Sequence, residues 1–270
     1  MADNRAFSGR KVFFLNPGAS FEADVIDTLR VMEYDAYAIY DLRTAKNIAS
    51  VHPEGIWFVV MDDSLTVTGW HNFAASLEAG DLLIPPIDVG IIMRDMGAET
   101  EKKFLSGLKC NAGVYKASSS AGELLRDIAA ALDKLGAIGL RKNIRADCMD
   151  DKSAEIYWMK GGKMFKFKMI DVSTAAIATM FPSTLQNEVF VNQIISQAYL
   201  TMGKKQVSLP LRVATIKSAG DRLLVIFMYG IDVQPEAISQ VRSYISTLLK
   251  QRLESEIEKM PKDKVNYNNL

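Results

Sequence analysis

The sequence predicts two domains of different class: a parallel α/β sheet with flanking helices, then a mainly antiparallel β domain that ends in a long helix. Three observations predict this. From Lys11 to about Leu135, short apolar runs alternate with amphipathic stretches, the pattern of a sheet wound with helices. Beyond that point strand-like runs follow one another directly, with a pair hinged on Gly161-Gly162. From Pro235 to about Met260 the apolar spacing becomes helical again. A chain of 270 residues is long enough for two cores.

In the first half, Lys11–Leu15 reads as a strand ended by the turn signal Asn16-Pro17-Gly18. Ser20 is the expected cap of the next helix, whose apolar face is Phe21, Val25, Leu29 and Met32. Asp35–Tyr40 is the second strand, and Arg43–Val51 a helix that stops near Pro53. Ile56–Met61 is a continuous apolar run, as expected of a strand buried on both faces. A helix around Gly69–Leu77, a strand at Ile87–Met93, a helix at Glu99–Leu108 and a short strand at Gly113–Lys116 follow. Ala121–Leu135 is the clearest helix of this half, with Ser120 and Glu123 at the two positions of a capping box.

Gly136-Ala137-Ile138-Gly139 is the natural boundary. The expected division is residues 1–136, residues 137–260, and a polar, frayed tail at 261–270. After the boundary, Ile144–Cys148 and the hairpin Glu155–Met159/Lys163–Ile170 read as strands around a tight glycine turn. Lys166 and Lys168 read as solvated charges at a strand edge. Paired apolar residues at Val189/Phe190, Ile194/Ile195 and Ala198/Tyr199 suggest an inserted helix within Pro182–Met202. Strand pattern resumes at Gln206–Lys217, turns at Ser218-Ala219-Gly220-Asp221 and returns through Leu223–Tyr229. In the last helix Ile238, Val241, Ile245 and Leu248, then Leu253 and Ile257, form a narrow apolar stripe. It suits either packing across the β domain or, beyond Leu249, a homodimeric coiled coil.

Lys+Arg and Asp+Glu both total 32, so no global basic field exists to attract nucleic acid, and an anion site must be local. The two cysteines, Cys110 and Cys148, read as small buried hydrophobes in a cytosolic chain rather than a disulfide. His52 and His71 are isolated, and no metal or catalytic motif is expected. The N-terminal apolar run is too short for a signal peptide, and no run approaches a membrane span.

One stretch does point to a ligand. Arg141 and Arg145 are separated by three residues, and Asp171-Val172-Ser173-Thr174-Ala175-Ala176 follows after about two dozen more. Guanidinium groups grip phosphate through paired hydrogen bonds. Asp171 and Ser173 at the end of a strand can accept from and donate to a purine edge. This arginine pair followed by Asp-x-Ser-x-x-small resembles the PilZ domain, a small β-barrel that binds the bacterial second messenger cyclic di-GMP. The family pattern is RxxxR, then [D/N]xSxxG after roughly 20–30 residues. The resemblance implies a PilZ-type β-barrel with a terminal helix, and a site formed by Arg141, Arg145, Asp171, Ser173 and Ala176. Arg141 and Arg145 would hold phosphates, with one guanidinium free to stack on a guanine, while Asp171 and Ser173 would read the guanine edge. Ala176 departs from the family glycine, which lets ligand and backbone approach closely. Leu140, where some members carry a third arginine, leans towards one ligand molecule per domain. Ordering of the arginine segment would reorient the domains or their partners.

The first half resembles a receiver domain in the size and order of its elements, which implies a flavodoxin-like sheet. Asp62 and Asp63 stand where a phosphoacceptor would be, and Lys116 where the conserved lysine would be. Asn16-Pro17 replaces the acidic pair and Arg94-Asp95 the hydroxyl residue. A Mg²⁺ ion needs carboxylate oxygens, so this half reads as a pseudo-receiver that docks or dimerises. The resulting expectation is a cytoplasmic, non-enzymatic cyclic di-GMP receptor with unidentified protein partners. The alternative is a ligand-independent interaction adaptor with a degenerate PilZ site, and a third reading is a phosphorylatable regulator.

Overall fold

The computed structural model describes residues 9–80, 86–138 and 143–259. The chain divides into two compact units, residues 1–142 with 254–270 and residues 143–253.

The first unit is built on strands β1 (Val12–Leu15), β2 (Ala36–Ile39), β3 (Ile56–Val60), β4 (Asp88–Met93) and β5 (Gly113–Lys116). They form an all-parallel five-stranded sheet in the order β2-β1-β3-β4-β5, which is the flavodoxin-like order. Its helices are α1 (residues 19–31), α2 (Leu42–Val51), α3 (Val67–Ala79), α4 (Ala98–Leu105) and α5 (Ala121–Lys134). Strands β1 and β3 are buried on both faces, as their unbroken apolar runs require. On one face Val12, Phe14, Ile56 and Phe58 pack with Val25, Ile26 and Leu29 of α1 and Leu124, Ile128 and Leu132 of α5. On the other face Phe13 stacks on Trp57 with ring centroids 4.7 Å apart.

Two local expectations at α1 are corrected. Gly18, at φ 67, turns the chain so that the helix starts at Ala19, and the Gly18 carbonyl accepts the first bond, from the Glu22 amide at 3.0 Å. Ser20 therefore lies inside the first turn and caps nothing. The helix widens to π-type turns over Glu22–Ile26, which carries both Val25 and Ile26 into the core, while Met32 falls beyond the helix end and is exposed. The capping box at Ser120 is present, with the Glu123 amide donating to Ser120 Oγ at 3.3 Å and the Ser120 amide to Glu123 Oε2 at 3.0 Å. Cys110 is half-buried rather than buried, in a left-handed turn at φ 46 where its amide donates to Glu78.

The second unit is an antiparallel barrel. Its strands are β6 (Arg145–Asp147), β7 (Glu155–Lys160), β8 (Lys163–Ser173), β9 (Ala176–Pro182), β10 (Ile194–Met202), β11 (Lys205–Ala219) and β12 (Arg222–Tyr229). Hydrogen bonding runs β8-β7-β10-β11-β12-β9, and β9 pairs back to β8, so six strands close. Strand β6 is added alongside β7 on one edge of β8. Residues 163–168 of β8 pair with β7 on one side only, since β9 pairs back from Met169 onward, and Lys166 and Lys168 are exposed there as expected. Lys166 also pairs across to Glu155 at 2.8 Å on the outer wall. The interior is aromatic: Trp158 is 2% exposed and lies against Phe165, Phe167, Phe181 and Phe227. Gly161 and Gly162 take φ 57 and 75, the two positive values that a tight β7–β8 turn demands and that glycine adopts without strain.

The helix expected within Pro182–Met202 is not formed. A single 3₁₀ turn at Ser183–Leu185 leads through further turns into β10. The physical reason is a bulge. Ile195 points inward, the register shifts before Ala198, and Ala198, Leu200 and Met202 then alternate inward. The extra residue of a bulge breaks the two-residue period and leaves apolar spacing that imitates a helix. Likewise β11 extends through Ala219, which shortens the expected turn to Gly220-Asp221.

Helix α6 (Pro235–Glu258) places Val241 and Ile245 of its stripe, together with Ala237, in the barrel core cluster, and Leu248 packs against it. No helix among the described residues is long and apolar enough to cross a membrane.

Candidate functional site

The short strand β6 brings the two halves of the motif together. It pairs with the end of β8 in the register Arg145↔Ser173, Ala146↔Val172 and Asp147↔Asp171. Ala146 and Val172 point into the core. Alternation therefore sets Arg145, Asp147, Asp171 and Ser173 on the outer wall. Arg145 Nη1 lies 3.3 Å from Asp171 Oδ2, with both side chains part-exposed. An ion pair of this kind contributes little to stability in water, but it holds the guanidinium over the β8 end. Arg141 and Leu140 lie outside the described residues.

Ser173, Thr174, Ala175 and Ala176 form the turn from β8 to β9. Ser173 Oγ accepts from the Ala176 amide at 3.0 Å and the Ala175 amide at 3.3 Å, and donates to the Ala176 carbonyl at 3.2 Å. Ser173 is 2% exposed, so its hydroxyl shapes the turn in this structure. Two further side chains fasten the turn. Tyr229 Oη donates to the Ser173 carbonyl at 2.8 Å, and Asn143 Nδ2 donates to Thr174 Oγ1 at 3.1 Å. Asn143 is the middle residue of the RxxxR pattern, and it is tied to the turn. Burial pushes the Tyr229 phenol far up, which keeps it a neutral donor. Neither Tyr229 nor Asn143 was singled out by sequence, because their partners lie 56 and 31 residues away.

A polar network beside this region joins α6 to the barrel. Asp151 accepts from the Tyr244 hydroxyl at 2.6 Å, the Ser153 hydroxyl at 2.6 Å and the Ser153 amide at 2.8 Å. Desolvation raises the Asp151 carboxyl, but the bonds from Ser153 and Tyr244 outweigh it and hold the group below its usual value. Cys148 is buried as expected, and burial pushes its thiol up to about 12.

In the first unit, the residues at the expected phosphoacceptor corner are already engaged with one another. Asp62 Oδ1 accepts from the Ser64 amide at 2.9 Å and the Ser64 hydroxyl at 2.6 Å, a local turn rather than a helix cap. Thr66 is the cap of α3. Desolvation opposes ionisation of Asp62, yet bonds from Ser64 and Asn16 keep its carboxyl below the usual value. Asp63 is ion-paired with Arg94, and Lys116 with Glu101. Lys116 thus has a carboxylate other than Asp62 or Asp63 beside it.

No family profile matches the sequence, and no curated protein matches it significantly. The C-terminal part is similar to solved PilZ structures. The PilZ domain of YcgR from Escherichia coli with c-di-GMP is 13% identical, at a TM-score of 0.39 over 44% of this chain and 98% of that one. The MrkH–c-di-GMP complex of K. pneumonia is 14% identical, at 0.38 over 46% and 57%. The Bacillus subtilis inhibitor of motility MotI/DgrA is 11% identical, at 0.35 over 43% and 53%. The match thus spans little more than half of each of the two longer chains.

Proposed function

We propose that this protein is a cytoplasmic receptor for cyclic di-GMP that performs no chemistry of its own. The observation that carries the reading is the meeting of Arg145 and Asp171 on the outer wall, 3.3 Å apart, beside the Ser173–Ala176 turn. These are an anion gripper and a purine-edge acceptor at one place on a closed barrel. On ligand entry Arg145 exchanges the Asp171 carboxylate for a phosphate, and Asp171 accepts from the guanine N–H edge. Arg141 supplies the second guanidinium, and Ser173 keeps the turn in shape while Ala176 lines the contact. Binding is relayed by a change in the arrangement of the two units or of their protein partners.

A second reading is a ligand-independent adaptor. It is favoured by the internal pairing of Arg145 and by Ala176 in the glycine position. Binding of radiolabelled cyclic di-GMP, challenged with excess unlabelled cyclic di-GMP, GTP or cyclic GMP, separates the two. The receptor reading expects displacement by cyclic di-GMP alone. Absence of retained label, or equal displacement by GTP, overturns it.

A further inference from the structure

The barrel register places more beside Ala176 than the motif contains. Ala176 on β9 pairs with Met228 on β12, Met228 pairs with Arg212 on β11, and Arg212 pairs with Ile194 on β10. Their strand neighbours Ile177, Phe227, Leu211 and Val213 are all buried, so this row lies on the outer wall. On its other side Ala176 is bonded across the turn to Ser173, whose partner on β6 is Arg145. One continuous row thus runs Arg145, Ser173, Ala176, Met228, Arg212. Ser173 and Ala176 make a low middle, Met228 stands beside Arg212, and a guanidinium lies at each end. Arg212 is two strands from Ala176, roughly 10 Å along the wall.

Arg212 differs from Arg145, which is paired with Asp171. Its guanidinium lies between Met228 and Asn192, with Nη2 3.8 Å from the Met228 sulfur and Nη1 3.5 Å from Asn192 Oδ1. Among the described residues no carboxylate lies within ion-pair distance of it. Its surroundings are exposed apolar surface: Met228 is 39% exposed and Ile194 74%. A planar cation on a polarisable thioether is a platform for the face of an aromatic ring.

We infer that Arg212 and Met228 form the far wall of the ligand site and take the face of the second purine of a cyclic dinucleotide. The inference rests on the function proposed above. A ligand held by Arg145 and Asp171 through one purine and its phosphates crosses the low floor at Ala176. Its other purine then reaches the Arg212–Met228 platform. Stacking of this kind tolerates different bases, so the platform adds affinity, while Asp171 supplies the choice of guanine.

The test is calorimetric titration of cyclic di-GMP into the full chain and three variants: Arg212→Ala, Arg212→Lys and the control Lys217→Ala. Lys217 is an exposed residue on the same strand, roughly 17 Å further on. The expected result is about tenfold weaker binding for Arg212→Ala and nearly as large a loss for Arg212→Lys, because an ammonium keeps the charge without the plane. Lys217→Ala binds as wild type. Unchanged affinity in Arg212→Ala, beside a wild-type chain that binds, overturns this inference alone. Full retention by Arg212→Lys overturns the stacking role. A wild-type chain that takes up no cyclic di-GMP overturns the proposed function, and this inference with it.

Discussion

Replacing Tyr244 by Phe removes one hydroxyl and leaves the ring that packs on the barrel core cluster. The hydroxyl donates to an ionised carboxylate, Asp151, at 2.6 Å. Hydrogen bonds to charged groups contribute about 1.5–3 kcal/mol when protected from water. Both partners are only part-buried, so the lower end applies, about 1.5 kcal/mol, or roughly tenfold in an opening equilibrium. The bond joins α6 to the loop before β7, so the change appears as local opening of α6. Amide hydrogen exchange of the segment 237–249 reads it, with protection in Tyr244→Phe expected to fall about tenfold at pH 7. The sign with pH follows from the carboxyl. Asp151 lies below its ordinary value of 3.8 in the fold. Its contribution is therefore present above that value and is lost as pH falls through the folded value. The difference between wild type and variant must shrink at acid pH. Equal protection at pH 7, or a difference that persists after the carboxyl is protonated, refutes the assignment of Tyr244 as a clamp acting through ionised Asp151.

Three other changes test the account. Ala176→Gly removes the methyl at the turn and is expected to tighten cyclic di-GMP binding several-fold, while lowering barrel stability by about 0.5–1 kcal/mol; titration and urea unfolding measure the two effects. Tyr229→Phe deletes the bond to the Ser173 carbonyl and is expected to cost about 1 kcal/mol of stability and to weaken binding a few-fold, measured in the same way. Incubation with labelled acetyl phosphate and Mg²⁺ is expected to leave Asp62 and Asp63 unlabelled, since Arg94 and Ser64 already occupy them and Asn16 brings no carboxylate; mass spectrometry of the phosphoaspartate region decides it.

Much of this fold is legible in the sequence because its signals are local. Ile56–Val60 is apolar throughout since both faces are covered, and Ser120 with Glu123 marks the start of α5 within four residues. Gly161-Gly162 announces a turn with two positive φ values. The failures are equally physical. The bulge between Ile195 and Ala198 turned a strand into an apparent helix. At α1 the entry at Gly18 and the π-type widening moved both the cap and the apolar face. For the site, the spacing of Arg145, Asp171 and Ser173 was legible because the motif is a sequence pattern. Tyr229, Asn143 and Arg212 were not, because each joins the site only through strand register or a long-range bond.

The central claim is that Arg141 and Arg145 hold a cyclic dinucleotide against Asp171. Its most direct test is calorimetric titration of cyclic di-GMP into the wild-type chain beside the Arg141→Ala/Arg145→Ala variant. The account predicts micromolar or tighter binding of one molecule per chain, abolished in the variant. Equal heats from the two proteins, or no heat from the wild type, contradict it and direct attention to protein partners instead.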